Sequence, residues 1–132
     1  MVRISARIGT TNYTTHIKGS HQIIADEPAE KGGSNQGLNP GELLAASLAS
    51  CSLITIRMYA QRKEWDLTSA YVEISYDHDI KENTANMIKH ITLSGNLDEE
   101  QRQRLKYIAG KCPVHRILEK SVTIESFLTD AV

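Results

Sequence analysis

One stretch constrains the fold more than any other. It runs Asn39-Pro40-Gly41-Glu42-Leu43-Leu44-Ala45-Ala46-Ser47-Leu48-Ala49-Ser50-Cys51 and continues to Lys63. It reads as one long helix with a thiol in its middle. Asn39 is a good N-cap, since its side chain can accept from an orphan backbone N–H. Pro40 suits the first helical position, where a missing N–H costs nothing. Glu42 stands at the capping-box spacing from Asn39, and its charge favours a helix N-terminus. At 100° per residue, Leu44, Ser47, Leu48, Ile54, Thr55 and Met58 fall within about 60° of Cys51. Ala46, Ala49, Leu53, Ile56 and Ala60 fall opposite. The helix is therefore apolar all round until Arg57, and such a helix is buried all round. In a chain of 132 residues one sheet can cover one side. A second copy of the chain is the economical cover for the other.

The length fits a single domain over 1–132, large enough to fold without a covalent staple. The net charge is −1, and no Lys/Arg cluster exceeds a few residues, so nucleic acid and anionic membranes are not expected partners. No apolar run reads as reaching transmembrane length, and Met1-Val2-Arg3-Ile4-Ser5 does not open a signal peptide. A cytoplasmic protein is expected. Cys51 and Cys112 are 112 − 51 = 61 positions apart, which is neither a CxxC nor a zinc pattern. A permanent disulfide is not expected in a reducing cytosol.

Taken in order, Val2 to Ile8 reads as a strand with Ile4, Ala6 and Ile8 on one face. Tyr13 to Lys18 and His21 to Ala25 follow, with Gly19-Ser20 as a two-residue hairpin turn. Asp26 to Leu38 is a long loop that delivers the chain to the helix. Arg57, Arg62 and Lys63 suit the end of that helix, and Trp65 plugs the end of the core. Ala70 to Asp79 and Met87 to Ser94 alternate as strands, with Ile91 and Leu93 inward in the second. Asp98-Glu99-Glu100 opens a second helix, with Leu105, Ile108 and Ala109 as its stripe and Gly110 as its stop. Pro113 to Glu119 reads as a short helix with Cys112 at its N-terminal edge. Ser121 to Leu128 alternates as a last strand. The order βββ-α-ββ-α-β gives an α+β class with a mostly antiparallel sheet and a long central helix.

Two readings of the thiols stand side by side. A buried cysteine is most often a small hydrophobe. Mid-helix placement does not lower the pKa of Cys51 from about 8.5, whereas Cys112 has a helix N-terminus and His115 nearby. Glu42, nine positions before Cys51, is half a turn round the helix from it and reads as a cap. His16, His21, His78, His90 and His115 show no metal-ligand spacing, and Gly32-Gly33 begins no phosphate loop.

The residues Asp26-Glu27-Pro28, Gly32-Gly33, Asn39-Pro40-Gly41-Glu42-Leu43-Leu44, the Ala-rich run to Cys51, Arg57 to Lys63, and Cys112-Pro113-Val114-His115 together resemble the OsmC/Ohr family. The resemblance covers nearly the whole chain and is closest to the OsmC-like branch. It implies an OsmC-like fold in an intertwined homodimer that buries two central helices between sheets. It also implies a cofactor-free thiol peroxidase acting on organic hydroperoxides in oxidative stress defence. Cys51 would attack the peroxide and become a sulfenic acid, Cys112 would close a disulfide, and an external dithiol would reduce the pair. Glu42 would be the acid of the site. The best-studied branch has that acid directly after the Asn-Pro pair, where Gly41 stands here. An arginine of that branch maps near Thr10, with Arg7 the nearest. These departures keep a second reading open: a non-catalytic dimeric protein that binds a hydrophobic small molecule.

Overall fold

The computed structural model describes residues 1–120 and 122–129. The chain divides into two compact units. The first comprises Met1–Ser47 and Ser75–Met87, and the second begins with Leu48–Ile74 and resumes at Ile88.

In the first unit, β1 (Ser5–Ile8), β2 (Thr15–Lys18) and β3 (Gln22–Ala25) form an antiparallel meander in that order. Ile8 faces Thr15 in one pair and Lys18 faces Gln22 in the next. The second hairpin therefore closes over three residues, Gly19-Ser20-His21, rather than the expected two, because Lys18 and Gln22 already pair. Its backbone is held by Gly19 N donating to His21 O at 2.9 Å.

The loop that follows is built round one carboxylate. Asp26 is only 2% exposed, and its oxygens accept from the backbone N–H groups of Tyr13, Glu27, Ser34 and Gln36 and from the Thr14 hydroxyl. Burial alone would raise its pKa, but the four N–H donors win and hold it at about 2. Gly32 takes a left-handed φ of 88°, and a Cβ on Gly33 would strike the Glu27 carbonyl, so this pair of glycines is needed for the turn to close. The loop is thus pinned back on Asp26.

Helix α1 (Pro40–Lys63) occupies the expected span and runs from the first unit into the second. Its capping box forms as read: Glu42 N donates to Asn39 Oδ1 at 2.8 Å, and Asn39 N to Glu42 Oε1 at 3.0 Å. By length and composition α1 is apolar enough to cross a membrane, which a search for uninterrupted apolar runs understates. In the second unit, however, Ser52, Ile56 and Ala60 are fully buried in a protein core.

β4 (Asp66–Asp79) and β5 (Thr84–Asn96) pair as a two-stranded sheet. α2 (Glu99–Ala109) starts from an Asp98–Gln101 capping box and stops at Gly110, whose backbone is right-handed. α3 (Pro113–Leu118) has Cys112 as its N-cap. The core of the second unit joins Ile56, Tyr59 and Ala60 of α1 to Leu67, Leu93, Leu105 and Ala109. Trp65 packs against it, with its ring edge-on to Tyr59 at 5.5 Å. This is an α+β chain with antiparallel pairing and one long helix.

One expected element is absent. Ser121 lies outside the described residues, and residues 122–129 form no strand. Their alternation is real, but Val122, Ile124 and Phe127 are 60%, 81% and 84% exposed. A strand needs an edge to bond to, and periodicity in the sequence does not supply one.

Two outcomes are expected. Leu105 is fully buried among α1, β4 and β5 side chains, so Leu105→Ala should cost roughly 2–5 kcal/mol in a denaturant melt. The folded pKa of Asp26 lies below its unfolded value of 3.8, so its stabilisation is complete above about pH 4 and is lost as pH falls toward 2. Asp26→Asn should lower the thermal midpoint at neutral pH and flatten its pH dependence over that window.

Candidate functional site

The second unit brings the two cysteines together. α1 carries Cys51 and Ser52 on successive positions, and the turn from α2 into α3 carries Cys112 up to them. Pro113 fixes this local geometry. It forces the residue before it out of the helical region, and Cys112 is extended at φ −64°, ψ 147°. The thiol then caps the helix, accepting from His115 N at 3.4 Å. Cys112 is fully buried, and Cys51 is partly exposed. Both are free thiols, close enough for each to act on the ionisation of the other.

The polar surroundings divide the two sulfurs. Ser52 Oγ donates to Leu48 O at 2.8 Å and lies 3.8 Å from Cys112 Sγ. Of two adjacent backbone N–H groups, that of Val114 addresses Cys51 and that of His115 addresses Cys112. Burial pushes the Cys51 thiol up, and the bond to Cys112 adds to the rise against the opposing donors Val114 N–H and Thr55 hydroxyl. Burial also acts on Cys112, but it is outweighed by the His115 N–H, the bond from Cys51, the Ser52 hydroxyl and the charge of Lys89. Cys112 is held below an ordinary cysteine and Cys51 above it. These opposed directions favour the first charge of the pair on the buried sulfur.

Glu42, the third residue singled out from the sequence, lies in the first unit. Its carboxylate takes part in the capping box with Asn39. Arg7 lies on β1 of the same unit, opposite His16, and is exposed. Sequence reading missed Lys89. Its Nζ donates to Ala109 O at 3.1 Å and lies 3.0 Å from His115 Nδ1. The available signal was strand alternation: Lys89 precedes Ile91 and Leu93 at two-residue steps, which makes it a charge in an apolar register. Among the described residues no group of three or more His, Cys, Asp or Glu is placed to hold a metal ion.

A family model for OsmC-like proteins matches residues 33–127, a span that contains both thiols. The chain belongs to the OsmC-like family. No curated protein matches it by sequence. Among solved structures, this OsmC-like chain is similar to a Psychrobacter arcticus protein assigned to osmotic-stress induction and the detoxification response. The TM-score is 0.76 at 25% identity, covering 88% of this chain and 87% of that one. An OsmC-like protein from Mycoplasma pneumoniae has the same TM-score of 0.76 at 17% identity, covering 90% and 87%. An organic hydroperoxide resistance protein from Legionella pneumophila gives 0.67 at 23% identity, covering 89% and 88%. The last two likenesses show the shared fold.

The mutual influence of the two thiols makes a testable statement. Cys51→Ala removes the donor to Cys112, so the Cys112 titration should move up. Cys112→Ala removes the neighbour that raises Cys51, so the Cys51 titration should move down. Thiolate ultraviolet absorbance against pH reads both, and two unmoved curves would mean that the sulfurs titrate independently.

Proposed function

We propose that this OsmC-like protein is a thiol-dependent peroxidase for organic hydroperoxides, serving oxidative stress defence in the cytoplasm. One observation carries the reading: in a member of this family the fold brings a partly exposed and a fully buried free thiol together within one unit. Relatives that are organic hydroperoxide resistance proteins support the substrate class.

The roles follow from access. Cys51 is the sulfur a hydroperoxide can reach, and Cys112 waits behind it. Transfer of the Cys51 proton to Cys112 leaves the charge on Cys51. The Cys51 thiolate attacks one peroxide oxygen, so an S–O bond forms and the O–O bond breaks. The leaving alkoxide takes the proton from Cys112 and departs as the alcohol. Cys51 is now a sulfenic acid and Cys112 a thiolate. Cys112 attacks the Cys51 sulfur, a disulfide forms, and hydroxide leaves. The monoanionic pair and one hydroperoxide thus give a disulfide, an alcohol and hydroxide. An external dithiol returns the pair by exchange. The cycle uses the two sulfurs and no cofactor. Glu42, which caps α1, is proposed as the acid of the site.

The working form is proposed to be a homodimer. Ile54 and Met58 lie on the Cys51 side of α1 and are 57% and 65% exposed, a costly arrangement for an isolated chain. A second copy covering that side would also enclose the substrate approach to Cys51. Sedimentation should give twice the chain mass, and a monomer would overturn this part of the proposal.

The deciding assay is hydroperoxide consumption with a dithiol reductant, followed by intact mass. Wild type should lose two hydrogens as the Cys51–Cys112 disulfide. Cys51→Ser should abolish turnover, and Cys112→Ser should accumulate overoxidised Cys51. Two unreacted thiols in the wild type would remove the peroxidase reading in favour of a non-catalytic binding protein for hydrophobic small molecules.

A further inference from the structure

A thiol pair that works as a monoanion needs a positive charge close by, and β5 supplies one. On this strand Lys89, Ile91 and Leu93 point the same way. Leu93 is buried in the core and Ile91 packs against it. Lys89 is thus drawn inward with an apolar row, and it keeps its ammonium at the end of the thiol site rather than in open water.

The contacts of that ammonium are specific. Ala109 is the last residue of α2, and His115 is the third residue of α3. Lys89 Nζ bonds to the Ala109 carbonyl at 3.1 Å and meets His115 Nδ1 at 3.0 Å. One side chain therefore ties together both ends of the connection that carries Cys112. His115 in turn donates its backbone N–H to Cys112 Sγ at 3.4 Å. An ammonium has donors only, so Nδ1 must accept from it. The other ring nitrogen, Nε2, lies 3.4 Å from Glu119 Oε2.

We propose that Lys89 is the positioning residue of the thiol pair, stapling the Cys112 turn in place and supplying a positive charge that favours the thiolate. This rests on the peroxidase reading for its biological meaning. The electrostatics run in the same direction. Burial holds the pKa of Lys89 below that of an ordinary lysine, and Cys112, Cys51 and Glu119 each act against that fall. The other charged groups beside Lys89 are Glu99, Arg102 and Lys106 of α2, which line a groove with it and with His90 of β5. None of them takes part in the bonds to Ala109 and His115 that place the charge at Cys112.

The test uses the full chain with Lys89→Gln, Lys89→Met and Lys89→Arg. Thiolate absorbance is followed against pH without peroxide, and each melting curve is recorded. The neutral variants should titrate at higher pH and hold several-fold less thiolate at neutral pH, roughly tenfold less for each unit of displacement. Lys89→Arg should restore much of the loss, which a purely steric role would not produce. A folded Lys89→Gln protein whose titration coincides with wild type would overturn the proposal. If neither neutral variant folds, the Lys89 ε-carbon resonance of a Cys51→Ala/Cys112→Ala protein decides instead. Its titration should move to lower pH than in wild type, since both thiolate partners are gone, and an unmoved titration would overturn the proposal. The two ideas fail separately. A displaced thiolate titration in a protein that consumes no hydroperoxide would keep Lys89 and sink the peroxidase. Normal peroxide turnover with an unmoved titration would do the reverse.

Discussion

The packing of Ile56, Tyr59 and Ala60 of α1 against Leu105 and Ala109 of α2 is the contact on which the site depends. Nothing in it is chemical. It fixes the end of α2, and the end of α2 fixes where the chain turns before Pro113. The turn then has little freedom, and Cys112 arrives at Ser52 and Cys51. An apolar contact thereby sets the geometry of a polar one. This order of dependence is physically sensible, because close-packed cores hold position better than exposed polar bonds do.

The two sulfurs differ by environment rather than by kind. Both are cysteines close to one short helix, and each faces one of two neighbouring backbone N–H groups. Their partners separate them: the His115 N–H, the Ser52 hydroxyl and Lys89 outweigh burial at Cys112 and favour charge there, whereas burial pushes Cys51 up. Such a pair can present a neutral thiol to solvent while keeping a reserve of charge behind it. Chemistry at the accessible sulfur then requires a short proton movement and no rearrangement of the chain.

Much of this was legible beforehand, and the reasons are local. Asn39, Pro40 and Glu42 carry the start of α1 in their own side chains, so its beginning and capping box could be read directly. Asp98 and Gln101 do the same for α2. Pro113 announces the break that makes Cys112 a cap. The misses concern what local pattern does not encode. The alternation from Val122 to Phe127 describes a face to be covered, but pairing depends on a strand edge elsewhere. The Gly19-Ser20 turn was read one residue short because register is set by both strands. Asp26 looked like a loop residue, since its five partners come from positions 13 to 36 and gather only on folding. Lys89 is legible only where the inward register of its strand is carried back from Ile91 to the charge two residues before it.

Cys112 has two employments, and they bear on each other. Its sulfur is proposed as a redox group, and it is also the cap of the six-residue helix α3. In the reduced protein the first turn of that helix is moored by an electrostatic bond, from His115 N–H to a sulfur that bears charge. A disulfide sulfur is neutral and a weaker acceptor, so oxidation slackens that mooring. The same event ties the sulfur covalently to α1. In the proposed cycle the segment would exchange one anchor for another, charge for covalency, and be left adrift in neither state.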